Sequence, residues 1–198
     1  MATVPQSNLL EYLEGLGPEE MLAWAHETHG DRAAIQTSLQ NTGCIQIEMA
    51  GRVAPKLRIM TIDTWRLPDE TYQLIDAIEK KYGIKIERFE PDAKSVKQMV
   101  DRHGEFLFFD TKEKQEYCCT VRKVEPNERA METVDVLITG RRRDQSNSRK
   151  KLAKAEVVTM ETHDVLKLNP LADWTEEQVW AYIRANDIPY NKLYDMEY

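Results

Sequence analysis

Ala33-Ala34-Ile35-Gln36-Thr37-Ser38-Leu39-Gln40-Asn41-Thr42-Gly43 is a short apolar run that opens into hydroxyls, amides and one glycine. Ala33 to Thr37 reads as a strand, Ser38 to Gly43 as a polar turn, and Cys44 to Ala50 as the helix that follows. A strand that ends in a polar turn and feeds a helix is the unit of an α/β fold. The same unit recurs downstream. Leu57 to Ile62 is a second apolar strand, followed by Asp63-Thr64-Trp65-Arg66-Leu67 and a helix from Pro68 to Tyr82, opened by the proline and stopped by Gly83. Ile84 to Phe89 is a third strand. Ser95 to His103 and roughly Lys112 to Thr133 are helical, the latter broken near Pro126. Val134 to Thr139 is a strand rich in β-branched residues, and Val165 to Leu168 a shorter one. Thr175 to Ala185 is a helix with a Thr175/Gln178 capping box, its Val179, Trp180 and Ile183 on one face.

Strands alternating with helices predict a mostly parallel sheet with helices on both faces. Upstream, residues 1–30 read as an N-terminal helical segment. Pro18 suits a first helical turn, Glu19 and Glu20 favour the helix dipole, and Met21, Leu22, Trp24 and Ala25 form an apolar stripe ending near Gly30. Residues 31–198 then form one α/β domain.

The composition fits a globular protein. Of 198 residues, 41% are hydrophobic and 31% charged. No run approaches the roughly 18 apolar residues of a membrane span, so no membrane association is expected. Met1 to Glu14 shows no basic stretch followed by an apolar one, and three cysteines make no disulfide framework; a reducing cytoplasm is the expected compartment. The net charge of −7 argues against general nucleic-acid binding. Against that acidic background, Arg141, Arg142, Arg143, Arg149, Lys150 and Lys151 face Asp144 alone within one short segment. Such a cluster suits an anion of limited size, or a solvated loop.

Ligands of open α/β sheets bind beyond the carboxyl ends of the strands. That rule selects three turns. In the first, Ser38 and Gly43 offer a hydroxyl and free backbone N–H groups to anionic oxygens; it is not a Walker loop, lacking the Gly-Lys-Ser/Thr ending. In the second, Asp63 could accept from a ribose hydroxyl or a base amine, or cap the next helix. In the third, Gly140 allows close backbone approach, and the guanidinium forks of Arg142 and Arg143 suit phosphate or sulfate oxygens. Cys118-Cys119-Thr120-Val121-Arg122-Lys123 leaves several readings open: buried small hydrophobes, metal ligands, low-pKa thiols or a vicinal disulfide.

Taken in order, these pieces resemble the adenylyl-sulfate and phosphoadenylyl-sulfate reductase family. Its second turn, Leu-Asp-Thr-Gly-Arg-Leu, is similar to Ile62-Asp63-Thr64-Trp65-Arg66-Leu67. Its Cys-Cys-x-x-Arg-Lys-x-x-Pro motif is matched by Cys118, Cys119, Arg122, Lys123 and Pro126. Its Gly-x-Arg-Arg-Asp/Glu-Gln-Ser loop is matched by Gly140, Arg142, Arg143, Asp144, Gln145 and Ser146. Asn169 to Trp174 and Val179 to Ile183 continue the likeness, which runs from about residue 33 to the end. The first turn matches only loosely, and Trp65 stands where the family has glycine; its indole would either stack on adenine or obstruct the site.

The resemblance implies an adenine-nucleotide α-hydrolase-like fold of the PP-loop type. It implies thioredoxin-dependent reduction of adenylyl sulfate to sulfite and AMP in sulfate assimilation, on the route to cysteine. Ser38, Gly43, Asp63, Trp65, Arg66, Lys123, Gly140, Arg142, Arg143, Gln145 and Ser146 would bind the sulfonucleotide. Cys118 and Cys119 would be two ligands of a [4Fe–4S] cluster, the mark of the subtype that uses the substrate without a 3′-phosphate. In the family the chain continues past a Pro-Tyr-Asn segment, here Pro189 to Asn191, to a Cys-x-x-Cys pair and a tail carrying the nucleophilic cysteine. Neither occurs before Tyr198, so the expectation is a catalytic cysteine and two further cluster ligands beyond that residue. Partners would be the sulfonucleotide and a thioredoxin-type dithiol, and a homo-oligomer is compatible with the sequence. Alternatives are a reductase of the 3′-phosphorylated substrate, a sulfonucleotide-binding protein without turnover, and a nucleotidyl-transferring enzyme of the same fold.

Overall fold

The computed structural model describes residues 8–196. The first part of the expected N-terminal helical segment, residues 1–7, lies outside the described residues, as does Tyr198.

Strands β1 (Ala33–Gln36), β2 (Arg58–Ile62), β3 (Glu87–Phe89), β4 (Val136–Thr139), β5 (Ala155–Thr159) and β6 (Asp164–Leu168) form a 6-stranded sheet in the order β3-β2-β1-β4-β6-β5. Every pairing is parallel except β5 with β6. The mostly parallel α/β sheet expected from the alternation is therefore present. The antiparallel edge strand β5 is an element the sequence reading did not contain. Its residues Glu156, Val157 and Val158 are half-buried or exposed, so it lacks the continuous apolar run that marks a buried parallel strand.

Each strand sorts its side chains by the period of two. On one face Ala33, Ile35, Ile59, Val136, Ile138, Leu166 and Leu168 pack into the main core. They meet α2 (Pro18–His29), α3 (Asn41–Val53), α4 (Asp69–Tyr82) and α8 (Glu176–Ala185), which contribute Met21, Leu22, Ile45, Met49, Leu74, Ile78, Val179 and Ile183 among others. Leu13 of α1 (Leu9–Gly15) joins the same cluster, so the N-terminal helices share the core of the sheet. On the other face Ala34, Met60, Leu137 and Val165 are covered by Ala130 and Met131 of α7 (Glu125–Glu132). A third cluster, Met99, Leu107 and Cys118, joins α5 (Ala93–His103) to α6 (Lys112–Cys119).

Helix ends follow local chemistry. Thr175 accepts from the Gln178 backbone N–H at 3.2 Å, and Gln178 Oε1 accepts from Thr175 N at 2.9 Å, so the expected capping box is formed. Several boundaries differ from the sequence reading: β3 begins at Glu87 and not Ile84, β4 at Val136 and not Val134, α5 at Ala93 and not Ser95, and two others bear on the site. α3 starts at Asn41, so the polar residues Asn41, Thr42 and Gly43 are its first turn and only Thr37 to Gln40 remain as loop. The helical stretch between Lys112 and Thr133 is interrupted at Thr120–Val124, one π turn, and not at Pro126, which sits in the first turn of α7. Proline lacks the N–H that would bond four residues back and crowds that carbonyl, so the register widens in the turn before it.

Candidate functional site

β1 has β2 on one side and β4 on the other, and the chain order runs outward in opposite directions from this pair. The carboxyl ends of β1 and β4 therefore mark the topological switch point, where a crevice opens. A cleft of about 620 Å³ lies there, a volume suited to a small-molecule ligand.

The turns that meet at this point are built by close backbone packing. Thr37 Oγ1 accepts from Leu39 N at 2.8 Å and holds Leu39 in a left-handed conformation, φ 58°. Thr42 Oγ1 donates to the Gly140 carbonyl at 2.8 Å, tying the start of α3 to the end of β4. Both glycines are required. A Cβ on Gly43 would lie 2.0 Å from Thr37 Oγ1, and one on Gly140 would lie 2.5 Å from Thr42 Oγ1. Ser38, Gln40, Thr42 and Gly43 then present hydroxyls, an amide and the N-terminal backbone of a 13-residue helix to the cleft.

The charge of the wall has one sign. Lys123, Arg141, Arg149 and Lys167 line the cleft, and no aspartate or glutamate does so among the described residues. Lys123 comes from the π turn between α6 and α7, Arg141 and Arg149 from the arginine loop, and Lys167 from the middle of β6. Burial, with Arg141 beside it, holds the Lys167 ammonium below the usual lysine range. The remaining wall is apolar or neutral: Ile62, Leu67, Leu137, Val158, Met160 and Met131 with Gln36, Asn127 and Thr139. Gln36 Nε2 donates to Asn127 Oδ1 at 2.6 Å across that wall.

Of the residues selected from sequence, Ser38, Gly43, Lys123, Gly140 and Gln145 are brought together here. Others point elsewhere. Arg142 is buried, bonding the Asp144 carboxylate at 2.9 Å, the Trp174 carbonyl at 3.2 Å and the Glu176 carboxylate. Arg143 pairs with Asp173 and donates to the Leu152 carbonyl at 2.7 Å. In the structure these contacts tie the arginine loop to the residues at the start of α8, and Arg142 also lines a smaller cavity beside Gln40, Asn41 and Thr42. Carboxylates within reach outcompete an open cleft for the guanidinium. Arg141, at the rim, and Arg149 are the loop's cleft-facing arginines. Ser146 lies outside the cleft wall, its hydroxyl 2.9 Å from that of Ser148.

The second turn also departs from the expectation. Asp63 is buried, its Oδ1 accepting from Trp65 N at 2.9 Å and Tyr72 OH at 2.8 Å. It shapes the turn from beneath, and does not cap α4, whose Pro68 N-cap makes no side-chain bond. Arg66 donates to the Glu105 carbonyl at 2.7 Å and lies over Phe108, 4.7 Å from the ring centre. Trp65 has φ 57° and is 40% exposed, outside the cleft wall. Thr64 and Leu67 are what this turn gives to the wall.

Lys167, Arg141, Arg149, Asn127 and Met160 were not singled out individually from sequence. The basic cluster signalled two of them; a lone lysine inside a strand gave no signal.

Cys118 is buried and Cys119 exposed at the end of α6. The described residues contain no group of three or more His, Cys, Asp or Glu able to hold a metal ion. An iron–sulfur cluster takes about four thiolates, so the described residues do not form a cluster site, and no step is routed through one. Cys44 is fully buried, its thiol pushed up to about 12 by burial. No cysteine lines the cleft among the described residues. No helix is long and apolar enough to cross a membrane among them.

Comparison with known proteins bears on the family and the fold. Residues 32–198 match the phosphoadenosine phosphosulfate reductase domain family. The adenosine 5′-phosphosulfate reductase of Allochromatium vinosum is 39% identical over 168 residues, 85% of this chain and 65% of that protein. That of Burkholderia cepacia is 37% identical over 180 residues, 91% of this chain and 71% of that protein. The crystal structure of a phosphoadenylyl-sulfate reductase from Candida auris superposes with a TM-score of 0.80 at 30% identity, covering 98% of this chain and 92% of that one. The Candida glabrata FMN adenylyltransferase, at 10% identity and a TM-score of 0.60, shares the fold alone, the PP-loop-type α/β sheet. The chain spans 65% of the length of the Allochromatium vinosum relative. On the domain match and these relatives, the chain belongs to the phosphoadenosine phosphosulfate reductase domain family.

Proposed function

We propose that this chain carries the sulfonucleotide site of a thioredoxin-dependent adenylyl-sulfate reductase acting in sulfate assimilation. The observation that supports the reading is the carboxylate-free wall of Lys123, Arg141, Arg149 and Lys167 at the switch point of the sheet. A phosphosulfate anhydride carries two adjacent anionic groups, and an anionic nucleophile must approach it. Fixed cations in a partly dehydrated cleft lower that repulsion. Ser38, Thr42 and Gly43 at the start of α3 would hold anionic oxygens through hydroxyl and backbone N–H groups. The relatives named adenosine 5′-phosphosulfate reductase favour the substrate without a 3′-phosphate.

In the reaction, a cysteine thiolate attacks the sulfur of adenylyl sulfate. The sulfur–oxygen bond to phosphate breaks and AMP leaves with the electron pair. A dithiol of the thioredoxin type attacks the resulting S-sulfocysteine, releases sulfite and is itself oxidised to a disulfide. The nucleophile would come from outside the cleft wall of the described residues. Cys118 and Cys119 would be two thiolate ligands of a [4Fe–4S] cluster whose other ligands lie outside those residues; the cluster would supply local charge. The compartment would be the cytoplasm.

Calorimetric titration with adenylyl sulfate tests the binding reading. Lys123→Ala and Arg149→Ala should each weaken binding by about 1.5–3 kcal/mol if each makes a charge-assisted hydrogen bond. Unchanged affinity in both variants would reject the site. A tenfold or greater preference for the 3′-phosphorylated nucleotide in competition would reverse the choice of substrate, the alternative that the Candida auris structure favours.

A further inference from the structure

The cations of the arginine loop are crowded in sequence, and their mutual repulsion favours spreading the loop. Both ends of it are nevertheless tied down. At the entry, Thr42 Oγ1 donates to the Gly140 carbonyl at 2.8 Å. At the exit, Lys154 leads into Ala155 and β5, an edge strand paired on one side only. Backbone N–H groups at such an edge need an acceptor from elsewhere.

That acceptor comes from 140 residues upstream. Glu14, on α1, accepts from the Lys154 backbone N–H at 2.6 Å and from that of Ala155 at 3.4 Å. The Lys154 ammonium donates to the Glu14 carbonyl at 3.3 Å and pairs with Asp173 at 3.3 Å. The other Glu14 carboxylate oxygen stands 3.9 Å from the Arg143 guanidinium, which also pairs with Asp173. Two carboxylates and two cations thus close one network around the loop exit. Glu14 is held on a fixed element, because its neighbour Leu13 is fully buried in the main core.

The network reaches Arg149 through the backbone. Arg143 Nε donates to the Leu152 carbonyl at 2.7 Å, and Leu152 N donates to the Arg149 carbonyl at 2.9 Å. Asn169 supports the same stretch, its backbone N–H donating to the Lys154 carbonyl at 2.7 Å and its side-chain amide to the Ala153 carbonyl at 2.9 Å. The Arg149 side chain bonds only that of Gln145, so its place on the cleft wall is set by the backbone that carries it.

We propose that Glu14 is a positioning residue for the arginine loop: by accepting from Lys154 and Ala155 it holds the loop exit so that Arg149 stays on the cleft wall. Glu14 does not line the cleft and lies upstream of residues 32–198, the part of the chain that matches the family. The effect on the ligand rests on the sulfonucleotide reading; the hold on the loop does not.

The test uses the whole chain as wild type, Glu14→Ala and Glu14→Gln, each with and without Arg149→Ala. Glutamine keeps the acceptor oxygen and removes the charge. The first readout needs no ligand: the rate of tryptic cleavage after Arg149, Lys150 and Lys151, which requires the loop to open locally. Glu14→Ala should speed it about fivefold or more relative to cleavage elsewhere in the chain, and Glu14→Gln should stay near wild type. The second readout is calorimetric affinity for adenylyl sulfate. Glu14→Ala should weaken it about threefold or more, Glu14→Gln should restore it, and Glu14→Ala should have no effect once Arg149 is already alanine. A merely structural role would leave the affinity unchanged or make the two losses additive, and either result overturns the proposal. So does a loop cleaved no faster in Glu14→Ala, or a Glu14→Gln variant as impaired as Glu14→Ala. Glu14→Asp, which keeps the charge and shortens the reach, takes the place of Glu14→Ala should that variant fail to fold. If wild type binds no adenylyl sulfate, the sulfonucleotide reading fails and the cleavage rates alone decide whether Glu14 holds the loop.

Discussion

Gly43 packs against Thr37 so closely that a Cβ at position 43 would stand 2.0 Å from Thr37 Oγ1. The contact lets the first turn of α3 close over the end of β1, and it places the helix N-terminus on the cleft. Gly43→Ala should therefore destabilise the protein by about 1–3 kcal/mol, the usual cost of overpacking. The measurement is urea unfolding of Gly43→Ala, Thr37→Ala and the double variant. Thr37→Ala removes the colliding oxygen, so the double variant should lose less than the sum of the single ones. Strict additivity would show that the contact is not the cause.

Leu39 and Trp65 share a left-handed backbone, φ 58° and φ 57°, yet glycine should act oppositely at the two. The left-handed conformation costs a non-glycine residue about 1–2 kcal/mol. Trp65 is 40% exposed, so Trp65→Gly should be neutral or stabilise by up to about 1 kcal/mol, after the entropy of glycine is counted. Leu39 is 1% exposed and belongs to the main core. Leu39→Gly should destabilise by about 2–4 kcal/mol, because lost burial outweighs relieved strain. Denaturation midpoints of the two variants decide it; a loss above about 2 kcal/mol for Trp65→Gly would mean the indole is held by more than its turn.

Two arginines of one loop should separate stability from binding. Arg142 is buried and bonds Asp144, Glu176 and the Trp174 carbonyl, so Arg142→Ala should cost about 1.5–3 kcal/mol of folding stability. Arg149 faces the cleft and meets only the Gln145 side chain, so Arg149→Ala should change stability by less than about 0.5 kcal/mol. Thermal melts in the absence of ligand should show the difference, and titration with nucleotide should show the reverse ranking per folded molecule. Equal melting temperatures for the two variants would contradict the assignment of Arg142 to the scaffold.

Alkaline pH should unfold the chain through groups held neutral by burial. The Cys44 thiol, ordinarily near 9.0, is pushed up to about 12 by burial. Tyr72, Tyr82 and Tyr182, ordinarily near 10.0, are each pushed up to about 12, chiefly by burial. The folded state binds these protons more tightly than the unfolded state, so their contribution is fully present below about pH 9 and is lost as pH rises towards 12. Stability measured by urea unfolding should be flat on this account up to about pH 9 and fall above it. Thiol labelling at pH 8 should modify exposed Cys119 first and spare Cys44 until the protein unfolds. Rapid labelling of Cys44 in the native protein would overturn its burial.

The parallel strands, the helices between them and the three strand-end turns were legible in the sequence because each is written locally. Ile35 and its neighbours show strand patterning, Gly83 stops α4, and Thr175 with Gln178 opens α8, all within a few residues of where they act. β5 escaped because one half-exposed strand lacks the apolar run that marks the buried ones. The direction of each charged side chain was settled only by tertiary structure. Arg142 and Arg143 carry the same charge and fork as Arg149. They pair with Glu176 and Asp173, which lie 34 and 30 residues further along the chain and come within bonding distance when α8 packs. Lys167 joins the cleft because β6 adds to β4 with its lysine on the face that α7 leaves open. Local pattern sets the backbone state of a few residues at a time, whereas a charged side chain goes to whichever partner the whole fold brings nearest.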